Sequence, residues 1–576
     1  MLFPLNYSKI KLKLPMIISD EKLKSLILQN NILTAEKLSE LSDFAKNSDI
    51  SLADTLIEKD IISDEKLGQL IADSLKLPFI TLAKITIPDK VIHIIPEKVA
   101  RKQKVIPFSR DEYGVKLAMS DPGNREIQEM IAKKTGEKVI PYLATERDIF
   151  NTFHIYRKEL QKTYEGLFNE EIGKTGIFVT DEAPVAKIVD LLIDYAYQDK
   201  ASDIHIEPEE KNSLVRFRID GILHDVLVLP KNLHERIISR IKVLSKLRTD
   251  EHLAPQDGKI RMKLAEENID LRVSIIPMAD GEKAVLRLLS ARFRQFSLMD
   301  LGMQEADLKK VTAATSKSYG MILSTGPTGC GKTTTIYAIV KILNTREKNI
   351  TTIEDPVEYR IKGVNQIQAN PKTNLTFASG LRSILRQDPN IVFVGEIRDS
   401  ETAGIAVNAA LTGHLVLSTL HTNDAATALP RLIDMKIEPF LVASTVNVII
   451  AQRLVRKICE MCKTPKEISV EELGSHIPME IIKKNLGSIT NLTVYEGKGC
   501  KICHQIGYAG RIGVFEVLEV SKNIRRLITE KNDADAIAHA AIVEGMTTML
   551  DDGLQKVGKG ITTIEEVLRV TKVESL

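Results

Sequence analysis

Residues 321–335 read MILSTGPTGCGKTTT, an apolar run that breaks into a glycine-rich segment. Residues 326–333 fill every fixed position of the GxxxxGK[ST] phosphate loop, between a predicted strand and a predicted helix. Glycines let the backbone turn tightly so that its N–H groups point at phosphate oxygens, and the helix N-terminus adds positive potential. The pattern therefore predicts a nucleoside triphosphate site. The residues predicted to bind the nucleotide are Gly326, Pro327, Thr328, Gly329, Cys330, Gly331, Lys332, Thr333 and Thr334.

Two side chains of this loop carry the predicted chemistry. Lys332 can reach the β- and γ-phosphates, and the Thr333 hydroxyl can bind Mg²⁺. Cys330 is expected to serve only as a small side chain. A glycine-rich strand–helix turn that binds nothing is the alternative, and the complete spacing in the right context disfavours it.

The size and charge of the chain limit its function. A chain of 576 residues is too long for one hydrophobic core, so several domains are expected. The formal charge is only +2, from 79 basic and 77 acidic residues. This balance argues against a nucleic-acid translocase, although a local basic groove is compatible with a net charge near zero. No apolar run is long enough to span a membrane, and the start MLFPLNYSKIKLKLP lacks a signal core. The protein is therefore expected in the cytosol.

Four of the five cysteines are paired as Cys459-x-x-Cys462 and Cys500-x-x-Cys503. Disulfides are rare in cytosolic proteins, and each CxxC turn can present two thiolates to one ion, so the pattern predicts a structural Zn²⁺ site. Reduced thiols without a metal, or a redox pair, are the alternatives. A redox pair needs a single CxxC motif at a helix start, whereas this chain has two motifs.

The chain before the phosphate loop divides into predicted modules. A helical repeat module is expected over 1–75, because residues 32–41 and 61–70 are similar and place apolar residues at helical spacing. Strand-like runs predict a second α/β module over 76–157, and a polar stretch over 158–182 is interpreted as a linker. The strand-like runs lie at 105–108, 115–120 and 138–144.

Two further modules complete the predicted α/β multidomain architecture. Alternating strands and helices indicate a compact α/β domain over 183–297. From 298 to 576, β–α alternation around the phosphate loop predicts a mostly parallel sheet with helices on both faces. The cysteine-rich segment interrupts this domain at about 456–510, and a helical tail closes it. Within the domain over 183–297, strands are expected at 202–208, 213–221 and 270–278, and helices at 184–198 and 232–246.

Two carboxylates at the ends of apolar strands are candidates for orienting the attacking water. Glu354 ends the run ITTIE, and Glu396 follows IVFVG as a Walker-B-type acid. Ligands of parallel sheets lie beyond the carboxyl ends of strands, so both carboxylates are expected near the γ-phosphate. Glu396 is predicted to activate the water, while Glu354 can hold Mg²⁺ or the same water. A structural ion pair is the alternative for either, and which of the two dominates is left open.

His414 and His421 flank the short apolar strand LVLSTL. Both are expected within reach of the same sheet edge, where a histidine can sense the γ-phosphate and relay its loss. The alternative is a buried histidine whose ring nitrogens are hydrogen-bonded within the core.

Arginines supply further candidates. Arg382 and Arg386, four residues apart, are predicted to share one helical face and clamp phosphate. Arg216 and Arg218 point to one face of a strand in the preceding domain, a place from which an oligomer can supply trans-acting arginine fingers. A surface ion pair is the alternative for each.

These segments together resemble the secretion-ATPase family, the GspE/PilB-type motors of type II secretion and type IV pilus assembly. The resemblance runs from about residue 20 to the C-terminus. It rests on SDIHIEP (202–208), VRFRIDG (215–221), APQDGKI (254–260), GEKAVLRLL (281–289), GPTGCGKTTT (326–335), TIEDPVEY (352–359), LTFASGLRSILRQDPNI (375–391), VGEIRDSETA (394–403), TGHLVLSTLHTNDA (412–425), AQRLVRKIC (451–459) and GYAGRIGVFEV (507–517).

The resemblance implies a RecA-like ATPase domain preceded by a PAS-like α/β domain, with ATP, Mg²⁺ and Zn²⁺ as cofactors. It implies that Glu396 is the acid of an atypical Walker B motif. It also implies a homohexamer at the cytoplasmic face of the inner membrane, which turns a membrane platform protein that adds pilin subunits to a fibre. The long N-terminal region and the cysteine insert favour assembly over retraction. The arginines that the resemblance places near a nucleotide are Arg216, Arg218, Arg382, Arg386, Arg398 and Arg511.

The N-terminal repeats depart from the family pattern, in which each repeat can bind cyclic di-GMP through an arginine and two glycines. Other residues occupy all six of these positions, and without glycine the backbone cannot approach a ligand as closely. The module is therefore expected to dock a cytoplasmic or membrane protein and not to bind this nucleotide. The substituted positions are Lys22, Lys24, Asn31, Ser51, Ala53 and Asp60.

Two other classes of function compete with a motor. A scaffold or regulatory protein would use ATP only to hold a ring together, and the two strand-end glutamates count against it. A nucleic-acid translocase of the RecA-like group is opposed by the near-neutral charge. The choice among type IV pilus, type II secretion and competence systems stays open, as do the ring symmetry and the direction of rotation.

Overall fold

A computed structural model describes residues 18–48, 51–59, 61–85, 87–156, 183–264, 268–289, 296–474, 477–487, 491–500 and 503–571. These residues form two compact units, one from the described parts of 1–57 and 61–157 and the other from those of 58–60 and 158–576. Residues 1–17, the predicted linker and Asp60 lie outside the described residues. Within the described residues, no helix combines the length and the apolar character needed to cross a membrane.

The first unit contains a helical bundle followed by a three-stranded sheet in the order β1-β2-β3. Ser63 caps the helix that begins at Asp64, because its side chain accepts a hydrogen bond from the Lys66 N–H. All three predicted strand runs of this unit are confirmed. The bounds are α1 Asp20–Gln29, α2 Ala35–Ser48, α3 Leu52–Glu58, α4 Asp64–Leu75, α5 Asp89–Ile92, α6 Glu97–Gln103, β1 Val105–Asp111, β2 Gly114–Met119, α7 Arg125–Thr135, β3 Val139–Leu143 and α8 Glu146–Thr152.

The second unit begins with two helices that pack on one face of a six-stranded antiparallel sheet. Alternate residues of the strands share a hydrophobic core with these helices, as period-two burial along a half-covered sheet requires. The predicted strands and helices are confirmed, but the sequence analysis missed β6, β7 and β9; in β7 a single buried residue, Ile260, gives no apolar alternation. The bounds are α9 Ala183–Gln198, β4 Asp203–Pro208, β5 Asn212–Ile219, β6 Ile222–Pro230, α10 Lys231–Leu244, β7 Gln256–Lys263, β8 Asn268–Met278 and β9 Gly281–Leu289.

A seven-stranded sheet with hydrophobic cores on both faces carries the phosphate loop. Its order is β12-β11-β13-β14-β10-β15-β18, and only the last pair is antiparallel, which confirms the mostly parallel sheet. The bounds are α11 Glu305–Thr315, β10 Gly320–Thr325, α12 Lys332–Leu343, β11 Ile350–Glu354, β12 Asn365–Gln368, α13 Phe377–Ile384, β13 Ile391–Val394, α14 Ser400–Leu411, β14 Leu415–Leu420, α15 Ala428–Asp434, α16 Pro439–Thr445, β15 Val446–Ile458 and β18 Tyr508–Glu519.

The cysteine-rich segment lies between β15 and β18 and contains a two-stranded antiparallel sheet. It shares a small hydrophobic core with the C-terminal tail, through residues such as Ile482 and Leu554. The bounds are β16 Lys463–Ser469, α17 Val470–Gly474, α18 Met479–Leu486, β17 Asn491–Gly497, α19 Lys522–Thr529, α20 Ala534–Val543, α21 Met549–Gly558 and α22 Ile564–Val570.

Candidate active site

The phosphate loop joins the carboxyl end of β10 to the N-terminus of α12. Gly326, Gly329 and Gly331 have φ angles of 144°, 78° and 95°, values that glycine adopts without the strain that a Cβ would cause. A Cβ on Gly326 would also lie 2.6 Å from the carbonyl oxygen of Gln452, so the close packing of the two backbones requires glycine there. The chain thus makes the tight turn that the sequence predicted.

Lys332 opens α12 and is held inside the loop, with 8% of its surface exposed. Its Nζ donates hydrogen bonds to the carbonyl oxygens of Gly326 and Pro327, at 2.7 and 3.0 Å. Burial lowers the pKa of Lys332, and the negative charge of Glu396 partly offsets this effect. The ammonium therefore lies where the β- and γ-phosphates of a nucleotide would need it.

Glu396 follows β13, and its carboxylate bridges the side chains of Arg398 and His421. Its Oε1 lies 2.6 Å from Nη2 of Arg398, and its Oε2 lies 3.0 Å from Nε2 of His421. Burial acts to raise the pKa of Glu396, but the hydrogen bonds from Arg398 and His421 outweigh burial and keep the pKa below its ordinary value. The carboxylate is therefore ionised at neutral pH, the state in which a glutamate can accept a proton from water.

The two predicted histidines lie at opposite ends of β14. His421 follows Leu420 at the carboxyl end, where the phosphate loop also lies. His414 precedes Leu415, and its Nδ1 is 3.0 Å from the carbonyl oxygen of Ala409. A strand of this length spans about 20 Å. The prediction that both histidines reach the same sheet edge is therefore wrong for His414, because the full length of the strand separates them.

Glu354 ends β11 in a separate buried network. Its carboxylate accepts hydrogen bonds from Thr352 Oγ1 at 2.6 Å, from Gln366 Nε2 at 3.2 Å and from the hydroxyl of Tyr337 in α12. Burial raises the pKa of Glu354, against the opposing effect of these hydrogen bonds. The structure thus places His421 and Arg398 against Glu396. Glu354 instead accepts a hydrogen bond from the helix that follows the phosphate loop.

The arginines predicted near the nucleotide have partners within the chain. Arg382 pairs with Glu401 at 2.6 Å. Arg386 lies two residues beyond the end of α13, and its Nη1 donates to the carbonyl oxygen of Arg382 at 3.0 Å. Arg511 in β18 lies 3.8 Å from the carboxylate of Asp220.

Arg216 and Arg218 of β5 lie on the face of the six-stranded sheet opposite the two helices. Arg216 Nη2 lies 2.6 Å from the carboxylate of Glu207. Arg218 Nε lies 3.6 Å from the carboxylate of Asp203, and its Nη1 donates to the carbonyl oxygen of Gly221 at 3.1 Å. Both guanidiniums are therefore held by residues of their own sheet in this structure.

The four paired cysteines converge on one point. Their sulfur atoms all lie within 4.8 Å of one another. Cys459 and Cys500 are 3.8 Å apart at sulfur, as are Cys462 and Cys503. A tetrahedral ion with Zn–S bonds of about 2.3 Å has S–S edges of about 3.8 Å, whereas a disulfide bond is about 2.05 Å long. The four sulfurs therefore fit one Zn²⁺ with four thiolate ligands, as the spacing predicted.

Sequence reasoning missed two polar residues beside the phosphate loop. Gln452 is buried at 2% exposure and bonds to the loop itself, and Arg453 Nη2 donates to Asn423 Oδ1 at 3.1 Å. The available signal was the polar pair Gln452-Arg453 inside the apolar run VIIAQRLV (448–455), since a buried strand seldom carries a polar side chain without a partner for it.

This chain is similar to known proteins along most of its length. The family model for "Type II/IV secretion system protein" matches residues 179–569, and that for the "MshEN domain" matches 75–161. The chain is 38% identical to the type IV pilus assembly ATPase PilB of Myxococcus xanthus, over 95% of this chain and 98% of that protein. It is 46% identical to the type II secretion system protein E of Pseudomonas aeruginosa, over 68% of this chain and 77% of that protein. The solved structure of the ATPase DotB from Legionella pneumophila matches 67% of this chain and 95% of DotB, at 20% identity and a TM-score of 0.50, a likeness of fold alone.

Proposed function

This chain belongs to the Type II/IV secretion system protein family and is an ATPase, and we propose that it couples ATP hydrolysis to the assembly of a type IV pilus or of a type II secretion pseudopilus. The observation that supports hydrolysis best is the bridge from Glu396 to His421 and Arg398 at the sheet edge that carries the phosphate loop. A binding-only scaffold has no use for an ionised carboxylate at that place.

Each side chain of the site has a proposed role. Lys332 holds the β- and γ-phosphates, and the Thr333 hydroxyl binds the Mg²⁺ that neutralises their charge. Glu396 orients the attacking water and accepts its proton. His421 reports the presence of the γ-phosphate to the carboxylate that it contacts. Glu354 supports the end of β11 from its buried network and remains the second candidate for Mg²⁺ or water.

The working assembly is proposed to be a homohexamer. In such a ring Arg216 would leave Glu207, and Arg218 would leave Asp203, and both would bind the nucleotide of a neighbouring subunit. The ring acts in the cytoplasm, at the inner face of the cytoplasmic membrane, through an inner-membrane platform protein. The module boundaries at 76, 183 and 298 remain predictions.

The N-terminal module is proposed to dock a protein rather than cyclic di-GMP. Asn31, at the position of the second glycine in the first repeat, has a φ of 52°. This is the left-handed region that favours glycine, and the Asn31 side chain takes up space that a glycine would leave open to a ligand. Binding of cyclic di-GMP with a dissociation constant below about 10 μM would contradict this part of the proposal.

Light scattering during size exclusion, with Mg²⁺ and a non-hydrolysable ATP analogue, tests the proposed assembly. Six chains of 64.2 kDa give a mass of about 385 kDa. A species of that mass, and turnover per chain that rises with protein concentration as the ring forms, supports the hexameric motor. Full turnover by a species of 64.2 kDa would contradict it, because a monomer has no neighbour to supply arginines.

A further inference from the structure

The strand β15 extends past its neighbour β10 and runs alongside the phosphate loop. Thr325, the last residue of β10, pairs with Ala451, so Gln452 is level with the first residue of the loop. The two segments are in direct contact. A Cβ on Gly331 would lie 3.0 Å from the side-chain nitrogen of Gln452.

The side chain of Gln452 is buried and bonded at both ends. Its Nε2 donates to the carbonyl oxygen of Cys330 at 2.7 Å, and its Oε1 accepts from Thr335 Oγ1 at 2.7 Å. A third contact, from Ser324 Oγ to Oε1, is long at 3.5 Å and contributes little. One amide therefore connects the phosphate loop to the first turn of α12.

The bond to Cys330 controls the direction of a neighbouring N–H group. The peptide between Cys330 and Gly331 is trans and planar, so its C=O and N–H point in opposite directions. Because the carbonyl points at Gln452 and β15, the N–H of Gly331 points away from β15. The N–H groups of a phosphate loop are the groups that meet phosphate oxygens.

We propose that Gln452 is a positioning residue of the nucleotide site, whose side-chain amide fixes the Cys330–Gly331 peptide and thereby aims the Gly331 N–H at the nucleotide phosphates. Glutamine suits this place because its amide supplies one donor for a carbonyl and one acceptor for a hydroxyl. Without the donor, the loop peptide is free to rotate and the anion-binding N–H is no longer preorganised. This inference rests on nucleotide binding by the loop and is independent of what the motor assembles.

ADP affinity of the full-length protein, measured by titration calorimetry, tests the proposal. Gln452→Glu keeps the acceptor for Thr335 but turns a carboxylate oxygen toward the Cys330 carbonyl. We expect ADP affinity to fall roughly 10- to 100-fold. KM for ATP should rise by the same factor while kcat stays within about twofold, because the lost contact serves substrate and transition state equally.

A second variant keeps the test decisive if the first does not fold. Thr335→Val removes only the hydroxyl that anchors Oε1, at nearly the same volume, and should weaken ADP binding by roughly 3- to 10-fold. The matched control is Ser324→Ala, which removes the 3.5 Å contact and should leave ADP affinity unchanged.

Several outcomes overturn the proposal. A folded Gln452→Glu protein that binds ADP within about twofold of wild type would refute it, and so would a lower melting temperature without any change in ADP affinity. If Gln452→Glu does not fold, wild-type affinity in Thr335→Val refutes it instead. A wild-type protein that binds neither ADP nor ATP would refute the proposed function as well, which separates the two failures.

Discussion

Replacing Glu566 with glutamine should destabilise the C-terminal tail through the loss of one buried charge. Glu566 lies in α22 with 2% of its side chain exposed, and it accepts hydrogen bonds from the guanidiniums of Arg456 and Arg569. It also accepts the Arg456 backbone N–H at 2.8 Å. These contacts join the tail to β15 shortly before the first cysteine pair.

The size of the effect follows from the pKa. Burial acts to raise the pKa of Glu566, but the hydrogen bonds from Arg569 and Arg456 outweigh it and lower the pKa from 4.5 to about 2. At about 1.4 kcal/mol for each tenfold change in proton affinity, the ionised carboxylate contributes about 3 kcal/mol to folding at pH 7. Because the folded-state pKa is the lower one, this stability is complete above about pH 4.5 and is lost as the pH falls toward 2.

Hydrogen exchange of the amides in α22 measures this local stability at several pH values. Glu566→Gln should lower the free energy of local unfolding of α22 by about 3 kcal/mol at pH 7 and by less than half of that near pH 3. Glu565→Gln is the matched control, because the neighbouring Glu565 is exposed. This substitution should change the same free energy by less than about 0.5 kcal/mol. Equal effects of the two substitutions, or a Glu566→Gln effect that does not depend on pH, would refute the reasoning.

Three further outcomes are expected. X-ray absorption at the zinc edge should show four sulfur ligands at about 2.3 Å, and Cys462→Ser should replace one with a lighter atom; a zinc-free protein with an intact fold would contradict the site. His421→Asn should lower kcat by roughly 100-fold while the matched change His414→Asn leaves it within about twofold, because only His421 lies at the nucleotide edge; equal losses would contradict the geometry. Tyr337→Phe leaves the buried carboxylate of β11 without one donor and should lower the free energy of unfolding by about 1–3 kcal/mol; an unchanged urea midpoint would contradict the bond.

The phosphate loop, the parallel sheet and the cysteine cluster could be predicted because each is encoded in a short stretch of sequence. Fixed glycines, a lysine and a threonine specify the loop, and CxxC pairs specify two ligands each. Apolar strands with an acid at the carboxyl end predict where that acid lies, since parallel strands end at one edge. The place of Glu396 at that edge was predicted in this way.

The remaining features depend on contacts between distant segments. His414 looked equivalent to His421 because both flank one strand, yet a strand separates its two ends by its full length. The partners of Glu354 on α12 and β12 can be known only once the helix has packed on the sheet. Gln452 lies far from the phosphate loop in sequence, and the pairing of β10 with β15 brings them together.

ATP turnover with Mg²⁺, compared between wild type and Glu396→Gln alongside ATP affinity and mass, tests the central claim most directly. Glutamine keeps the shape of the side chain but cannot accept a proton. Turnover should fall roughly 100- to 10,000-fold while ATP affinity and the assembled mass are unchanged. A Glu396→Gln protein that turns over ATP like wild type would contradict the account and would make Glu354 the candidate for the residue that accepts the proton.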